Sequence, residues 1–198
     1  MIHLHPIHSQ ASPYWDSLVS IYHTSFPLDE QRPIESIAHL IEHDARFAAY
    51  AIINGDKNEN ENENGDNPQL SSFISPLSSF IGLLTTWHFE KFIYIEHFAI
   101  APALRSLGYG TEALLTFIKR QNSPIILEAE PPTDELSTSR VRFYQRCGLT
   151  LYEYPYIQPA YTPTSHPVEL RLMGTLDTLA TPLAHVSDTL HREVYKVR

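Results

Sequence analysis

The chain has 198 residues, 42% hydrophobic and 19% charged, which suits a packed core and excludes wholesale disorder. Against 23 acidic residues stand 14 basic ones, and the net charge of −9 excludes a general nucleic-acid binder, which needs a basic surface for phosphate contacts. Glycine is sparse at 7 and proline abundant at 15, so hard stops between elements are frequent; one cysteine, Cys147, allows no internal disulfide and fits a reducing compartment.

Ile2–His5 predicts a short strand. Ser12 reads as an N-cap with Pro13 at the first helical position, followed by Trp15, Leu18, Val19 and Tyr22 at helical spacing up to Phe26-Pro27. A second helix starts near Pro33, with Ile34, Ile37, Ala38 and Ile41 on one face, and Phe47–Ile53 is a strand. Residues 54–72 hold five acids and one base in an alternating Asn/Glu tract with nothing to bury, which predicts an expanded loop. Phe80–Trp87 and Phe92–Ile100 are β-branched and aromatic strands.

Beyond Pro102, Arg105–Gly110 is a turn and Thr111–Arg120 a helix carrying Leu114, Phe117 and Ile118. Ile125–Glu130 reads as a buried strand, and Ser137–Cys147 as a helix stopped by Gly148. Leu149–Tyr154 and Val168–Met173 are strands separated by a Pro/Tyr-rich loop, and Leu183, Val186, Leu190 and Val194 mark a C-terminal amphipathic helix. The order predicts an α/β protein with a mixed sheet and helices on its faces. Met1–Gln10 lacks a signal-peptide pattern, and the charge-free run 67–89 is broken by Pro76 and five serines, so a soluble, cytoplasmic protein without membrane partners is expected.

The sharpest local feature is Arg105-Ser106-Leu107-Gly108-Tyr109-Gly110 between a strand and a helix. Two glycines let the backbone approach a ligand and turn several N–H groups into one concavity, where the helix start adds partial positive charge. This suits a pyrophosphate, although a glycine pair taken alone is more often just a turn. Neither the P-loop lysine nor the third glycine of a dinucleotide fingerprint is present.

The run Ile93–Pro102 followed by Arg105-x-x-Gly108-x-Gly110 resembles the acetyl-CoA-binding motif of the GNAT superfamily of N-acetyltransferases. Phe143-Tyr144-Gln145-Arg146-Cys147-Gly148-Leu149 is similar to that family's second marker, with Leu149 where a phenylalanine is usual. The resemblance implies a GNAT-type, mostly antiparallel central sheet flanked by helices over residues 1–174, with 54–72 as a loop insertion and 175–198 as a helical extension packed on the same domain. It implies acetyl-CoA as acetyl donor, no metal, and a small-molecule amine or a peptide or protein amine as acceptor, in a monomer or homodimer.

Position by position, the resemblance implies that backbone groups of Phe98, Ala99 and Ile100 pair with pantetheine in a gap beside Ile125–Glu130. The amides of Arg105, Ser106, Leu107, Gly108, Tyr109 and Gly110 cradle the pyrophosphate, with the Arg105 side chain adding charge. Tyr144 protonates the leaving thiolate; the same residue on an arbitrary helix would read as a half-buried core tyrosine. Ser137 occupies the cofactor-contact position where many members carry asparagine.

Glu96 is the first choice for the base that deprotonates the ammonium, provided burial among Tyr94 and Phe98 raises its pKa from about 4.3. Its structural alternative is an arginine partner. His97 has a closer pKa, but strand alternation puts it on the opposite face from Glu96. Glu128 is the main rival; with Glu130 it shares a strand face and would bind a cationic substrate, or both would partner Arg140 or Arg142. Tyr161, in the Tyr-rich loop, borders the acceptor pocket. Two other function classes stay open: a zinc peptidase using His39-x-x-Glu42-His43, and a non-catalytic acyl-CoA-binding module.

Overall fold

Eight strands form one mixed, mostly antiparallel sheet in a computed structural model that describes residues 1–55, 79–177 and 180–197. Most of the acidic tract expected at 54–72 lies outside the described residues. The strands are β1 (Ile2–Ile7), β2 (Phe47–Asn54), β3 (Phe80–His88), β4 (Ile93–Ile100), β5 (Ile125–Ala129), β6 (Thr150–Leu151), β7 (Tyr156–Gln158) and β8 (Val168–Gly174). Their order across the sheet is β1-β2-β3-β4-β5-β8-β6, with β7 paired to β8. Strand β7 is an addition to the sequence reading. Its three residues sit inside the Pro/Tyr-rich loop, where alternation over so short a run gives no signal, and Tyr156 and Gln158 bury on one side of it.

The strands are apolar on both sides because helices cover both faces. On one face α1 (Trp15–Ser25), α2 (Ile34–His43) and α5 (Leu183–Thr189) pack Leu18, Tyr22, Ile37 and Val186 against Leu83, Tyr94 and Ile126. On the other, α3 (Tyr109–Lys119) and α4 (Glu135–Arg146) pack Leu114, Phe117 and Val141 against Ile81, Ile95 and Leu127. Fully burying one such side chain contributes about 1.5–3 kcal/mol, so the two clusters carry the fold. Helix α1 starts at Trp15 rather than Pro13. Ser12 and Pro13 are spent on the preceding turn, where the Trp15 N–H bonds the Ser12 carbonyl at 3.0 Å and the Tyr14 N–H reaches Ser12 Oγ at 3.3 Å.

Two irregularities of β4 position everything that follows. Against β3 the register runs Thr85↔His97 and then Thr86↔Ile95, so Glu96 is an extra, bulged residue. Against β5 the strands run parallel for three pairs, Ile93↔Ile125 to Ile95↔Leu127, and then separate. Glu96 and Glu128 are therefore the first residue on each strand past the end of the shared ladder.

Candidate active site

Where β4 and β5 separate, a cavity of about 570 Å³ opens between them. It is lined along β4 from Ile95 to Ile100, along β5 from Leu127, and by Arg105, Ser106, Gly108 and Gly110. The segment Phe98–Ile100 pairs with β3 on one edge and faces this opening with the other. In α3 the first amide to bond back is that of Glu112, onto the Gly108 carbonyl at 3.1 Å, so the amides before it are left for a ligand or solvent. Gly108 has φ 87°, and a Cβ there would meet nothing within 4 Å, so the chain makes a left-handed turn into open space. Ser106, at φ 63°, makes another. Gly110 has no such backbone requirement; a Cβ there would sit in ordinary contact with Phe143 at 3.5 Å.

Arg105 is more committed than expected: its backbone N–H donates to the Pro102 carbonyl at 3.3 Å and so does not join the cradle, its Nε donates to the Ile100 carbonyl at 3.0 Å and its Nη2 to Ser25 Oγ at 3.1 Å. Leu107 projects outward at 62% exposure, and the Tyr109 hydroxyl accepts from Asn54 Nδ2 at 3.3 Å; neither side chain lines the cavity. Nor does that of Ser137. It closes a capping box with Asp134, whose N–H donates to Ser137 Oγ at 3.1 Å while the Ser137 N–H donates to Asp134 Oδ1 at 2.9 Å. The cofactor contact expected of Ser137 thus has its hydroxyl engaged elsewhere.

Tyr144 lies in the last turn of α4, where a Schellman motif fixes the helix end. The Gly148 N–H bonds the Gln145 carbonyl at 2.9 Å and the Leu149 N–H the Tyr144 carbonyl at 3.1 Å, with Gly148 at φ 90°. The tyrosine lines the cavity, and no hydrogen bond to its hydroxyl is found among the described residues. Burial pushes its pKa up to about 12, so the hydroxyl keeps its proton at neutral pH.

Glu96 does not behave as the sequence reading required. Burial by itself would raise its pKa, but Arg32 overrides burial and the carboxyl titrates below its ordinary value. Arg32 donates to Oε1 from Nε at 2.9 Å and from Nη2 at 2.7 Å. The Tyr161 hydroxyl adds a bond to Oε1 at 2.9 Å, and the Trp87 indole N–H one to Oε2 at 2.9 Å. Glu96 is a fixed anion, and its arginine-paired alternative is the one realised. The expected opposition of His97 is also corrected. The bulge at Glu96 puts both side chains on the same face, with both against Tyr161 and His97 Nδ1 3.9 Å from Glu96 Oε2. Burial lowers the His97 pKa, with Arg32 adding to the effect against Glu96, so the imidazole is neutral; it sits between Tyr22 and Thr85 hydroxyls, each at 3.1 Å.

Glu128 has a different environment. Its carboxylate accepts the Tyr156 hydroxyl at one oxygen and the Tyr195 hydroxyl at the other, the latter at 2.8 Å. Burial pushes its pKa up to about 7, with the Glu96 charge adding to the rise and hydrogen bonds from Tyr156, Tyr195 and Tyr94 restraining it. Glu130 pairs with Arg140. Sequence reasoning missed Arg32, Tyr156 and Tyr195 as members of this cluster; they join it from 64, 28 and 67 positions away, and no local pattern marks them. His39 and His43 lie ring to ring at 4.5 Å on α2, outside the cavity lining, and among the described residues no group of three or more His, Cys, Asp or Glu side chains is placed to hold a metal.

Residues 10–149 match the family model for the acetyltransferase (GNAT) family. A Bacteroides thetaiotaomicron protein assigned to GNAT-family acetyltransferases is 30% identical, superposes with a TM-score of 0.82, and is covered over 99% of both chains. Arabidopsis thaliana NAA60, solved with acetyl-CoA, is 12% identical with a TM-score of 0.56 over 88% of this chain and 98% of its own, a likeness of fold. Bacillus subtilis YjbC, assigned as an acetyltransferase, is 38% identical over 60 residues, which span 29% of this chain and 31% of that relative. No helix among the described residues is long and apolar enough to cross a membrane.

Proposed function

This chain belongs to the GNAT acetyltransferase family, and on that premise we propose that it moves an acetyl group from acetyl-CoA to a primary amine by direct attack, with Glu128 rather than Glu96 accepting the ammonium proton. The observation that carries this reading is the wedge between β4 and β5, with free amides at its outer end and a carboxylate of pKa about 7 at its inner end. Acetyl-CoA supplies the thioester. The amides from Ser106 to Thr111, with Gly108 turned clear of them, are suited to its pyrophosphate, and the open edge of Phe98–Ile100 to its amide-bearing arm.

Attack requires a neutral amine, and a base works best when its pKa lies near the operating pH. Glu128 meets that condition, whereas Glu96 stays ionised and fully hydrogen-bonded. The collapsing intermediate releases a thiolate, and the Tyr144 hydroxyl, protonated and lining the same cavity, is its proton source. Tyr161, Glu30 and Glu128 line the same cavity, with Glu130 there paired to Arg140, and these acidic and aromatic groups suit a cationic acceptor. Residues 1–174 are read as the acetyltransferase unit and 175–198 as an extension docked on it.

The test is a turnover screen of acetyl-CoA against mixed amines with mass detection of product, alongside thermal melts. Acetyl-CoA at a hundredfold excess over Kd is expected to stabilise the native protein by about 2.7 kcal/mol, and Gly108→Val to abolish most of that gain. No acetylated product from any amine, with acetyl-CoA still raising Tm, would leave an acyl-CoA-binding module instead.

A further inference from the structure

The segment after α5 carries an observation that the family match does not reach. Helix α5 widens into a π-helical turn, Leu190–Val194, and the Tyr195 N–H bonds back five positions to the Leu190 carbonyl at 3.1 Å. A π-turn re-aims the side chains that follow it and recurs at functional sites. Here it brings two groups to the two carboxylates. The Val194 carbonyl accepts Arg32 Nη2 at 3.0 Å behind Glu96, and the Tyr195 hydroxyl donates to Glu128 Oε2. Leu190 and Val194 are wholly buried beneath this contact, and Lys196 leaves it through a left-handed turn at φ 59°. Residues 190–196 lie beyond the matched span of 10–149.

Resting on the acetyl-transfer reading, we propose that Tyr195 is a positioning residue for proton acceptance: its hydroxyl keeps the Glu128 carboxylate ionised and aimed into the cavity, so the turn after α5 completes the site. Glu128 is faced by Tyr94 and Glu96 from β4, Tyr156 from β7, Tyr195, and Tyr161 from the loop before β8, with His191 against the Tyr156 ring and Arg32 behind Glu96. Glu96 opposes ionisation of Glu128, while the hydroxyls favour it. Tyr195 also bonds the Tyr94 hydroxyl at 3.0 Å, so it holds a second donor in the same network.

Full-length Tyr195→Phe tests this, assayed by thiol release from acetyl-CoA with the amine of highest rate in the mixed-amine screen. The acidic limb of kcat/KM is expected to move up by about one pH unit, which lowers the rate at pH 6 about tenfold and leaves it near the parent's at pH 9. Ile52→Ala, a wholly buried core position on β2 outside the cavity lining, is the structural control: it lowers Tm and leaves the limb in place. A carbon-13 titration of the Glu128 carboxylate, assigned with Glu128→Gln, reads the same shift without turnover. An unmoved limb and an unmoved carboxylate titration in folded Tyr195→Phe overturn the proposal. If no amine is acetylated, the acetyl-transfer reading fails by itself, and the carbon-13 titration still decides whether Tyr195 governs Glu128.

Discussion

Two buried carboxylates stand at the apex of one wedge, each the first residue beyond the same ladder, and their pKa values move in opposite directions. Around Glu96 the partners are a guanidinium, an indole N–H and a phenol; around Glu128 they are phenols. A cation compensates the charge that burial penalises, so the first carboxylate is locked as an anion. Phenols donate hydrogen bonds without charge, so they temper the penalty and leave the second carboxylate titrating near neutrality. Equal depth in a protein thus says little about protonation until the partners are named.

The comparison is most directly broken by Glu128→Gln. If the phenol-bound carboxylate is the base, kcat/KM at neutral pH falls by about 10²–10⁴-fold with Tm close to the parent's, as rates and melts would read. A loss below tenfold would move proton acceptance to solvent. In the parent, Glu128 must be ionised to act, so activity should fall as pH drops below about 7.

Arg32→Ala attacks the other region. It leaves a buried carboxylate without its cation and should cost roughly 3–5 kcal/mol of stability in urea titrations. The sign with pH follows from the lowered Glu96 pKa: the pair's contribution is present above the ordinary carboxylate range and lost as pH falls through the folded value. The gap between variant and parent should therefore narrow toward acid.

Tyr144→Phe is smaller and independent of both carboxylates. A rate loss of about tenfold to a hundredfold, the low end of general acid catalysis or just below it, should leave the acidic limb where it was. Combined with Glu128→Gln, the two losses should multiply, because the groups act on different protons. Tyr161→Phe sharpens the comparison most finely. Glu96 loses one hydrogen bond and keeps Arg32, so stability should barely change and the Glu128 limb should move by less than about half a pH unit; a stability loss as large as that of Arg32→Ala would mean that Tyr161, not Arg32, fixes the anion.

The strands, the glycine turn and the Tyr144 helix end were legible because their signals are local: β-branched runs, a glycine pair between elements, and Gly148 after an apolar helical face. Which carboxylate titrates was not legible. That depends on Arg32, Tyr156 and Tyr195 arriving from distant positions, and on a one-residue bulge that alternation does not announce. Had β4 been regular, His97 would have pointed away from Glu96, as expected. The fate of Ser137 was closer to readable, since Asp134 three residues before it is a helix-start pattern.

The short ladder between β4 and β5 has a consequence for how the molecule breathes. Three residue pairs join one side of the sheet to the other, whereas β2 and β3 are paired over almost their whole length. In hydrogen–deuterium exchange, β5 and β8 should open as a unit separate from β1–β4, at a lower free energy than global unfolding. A ligand laid along the wedge would touch both units at once. Amide protection in β5 and β8 should then rise together with that in β4, and two separately opening parts would become one.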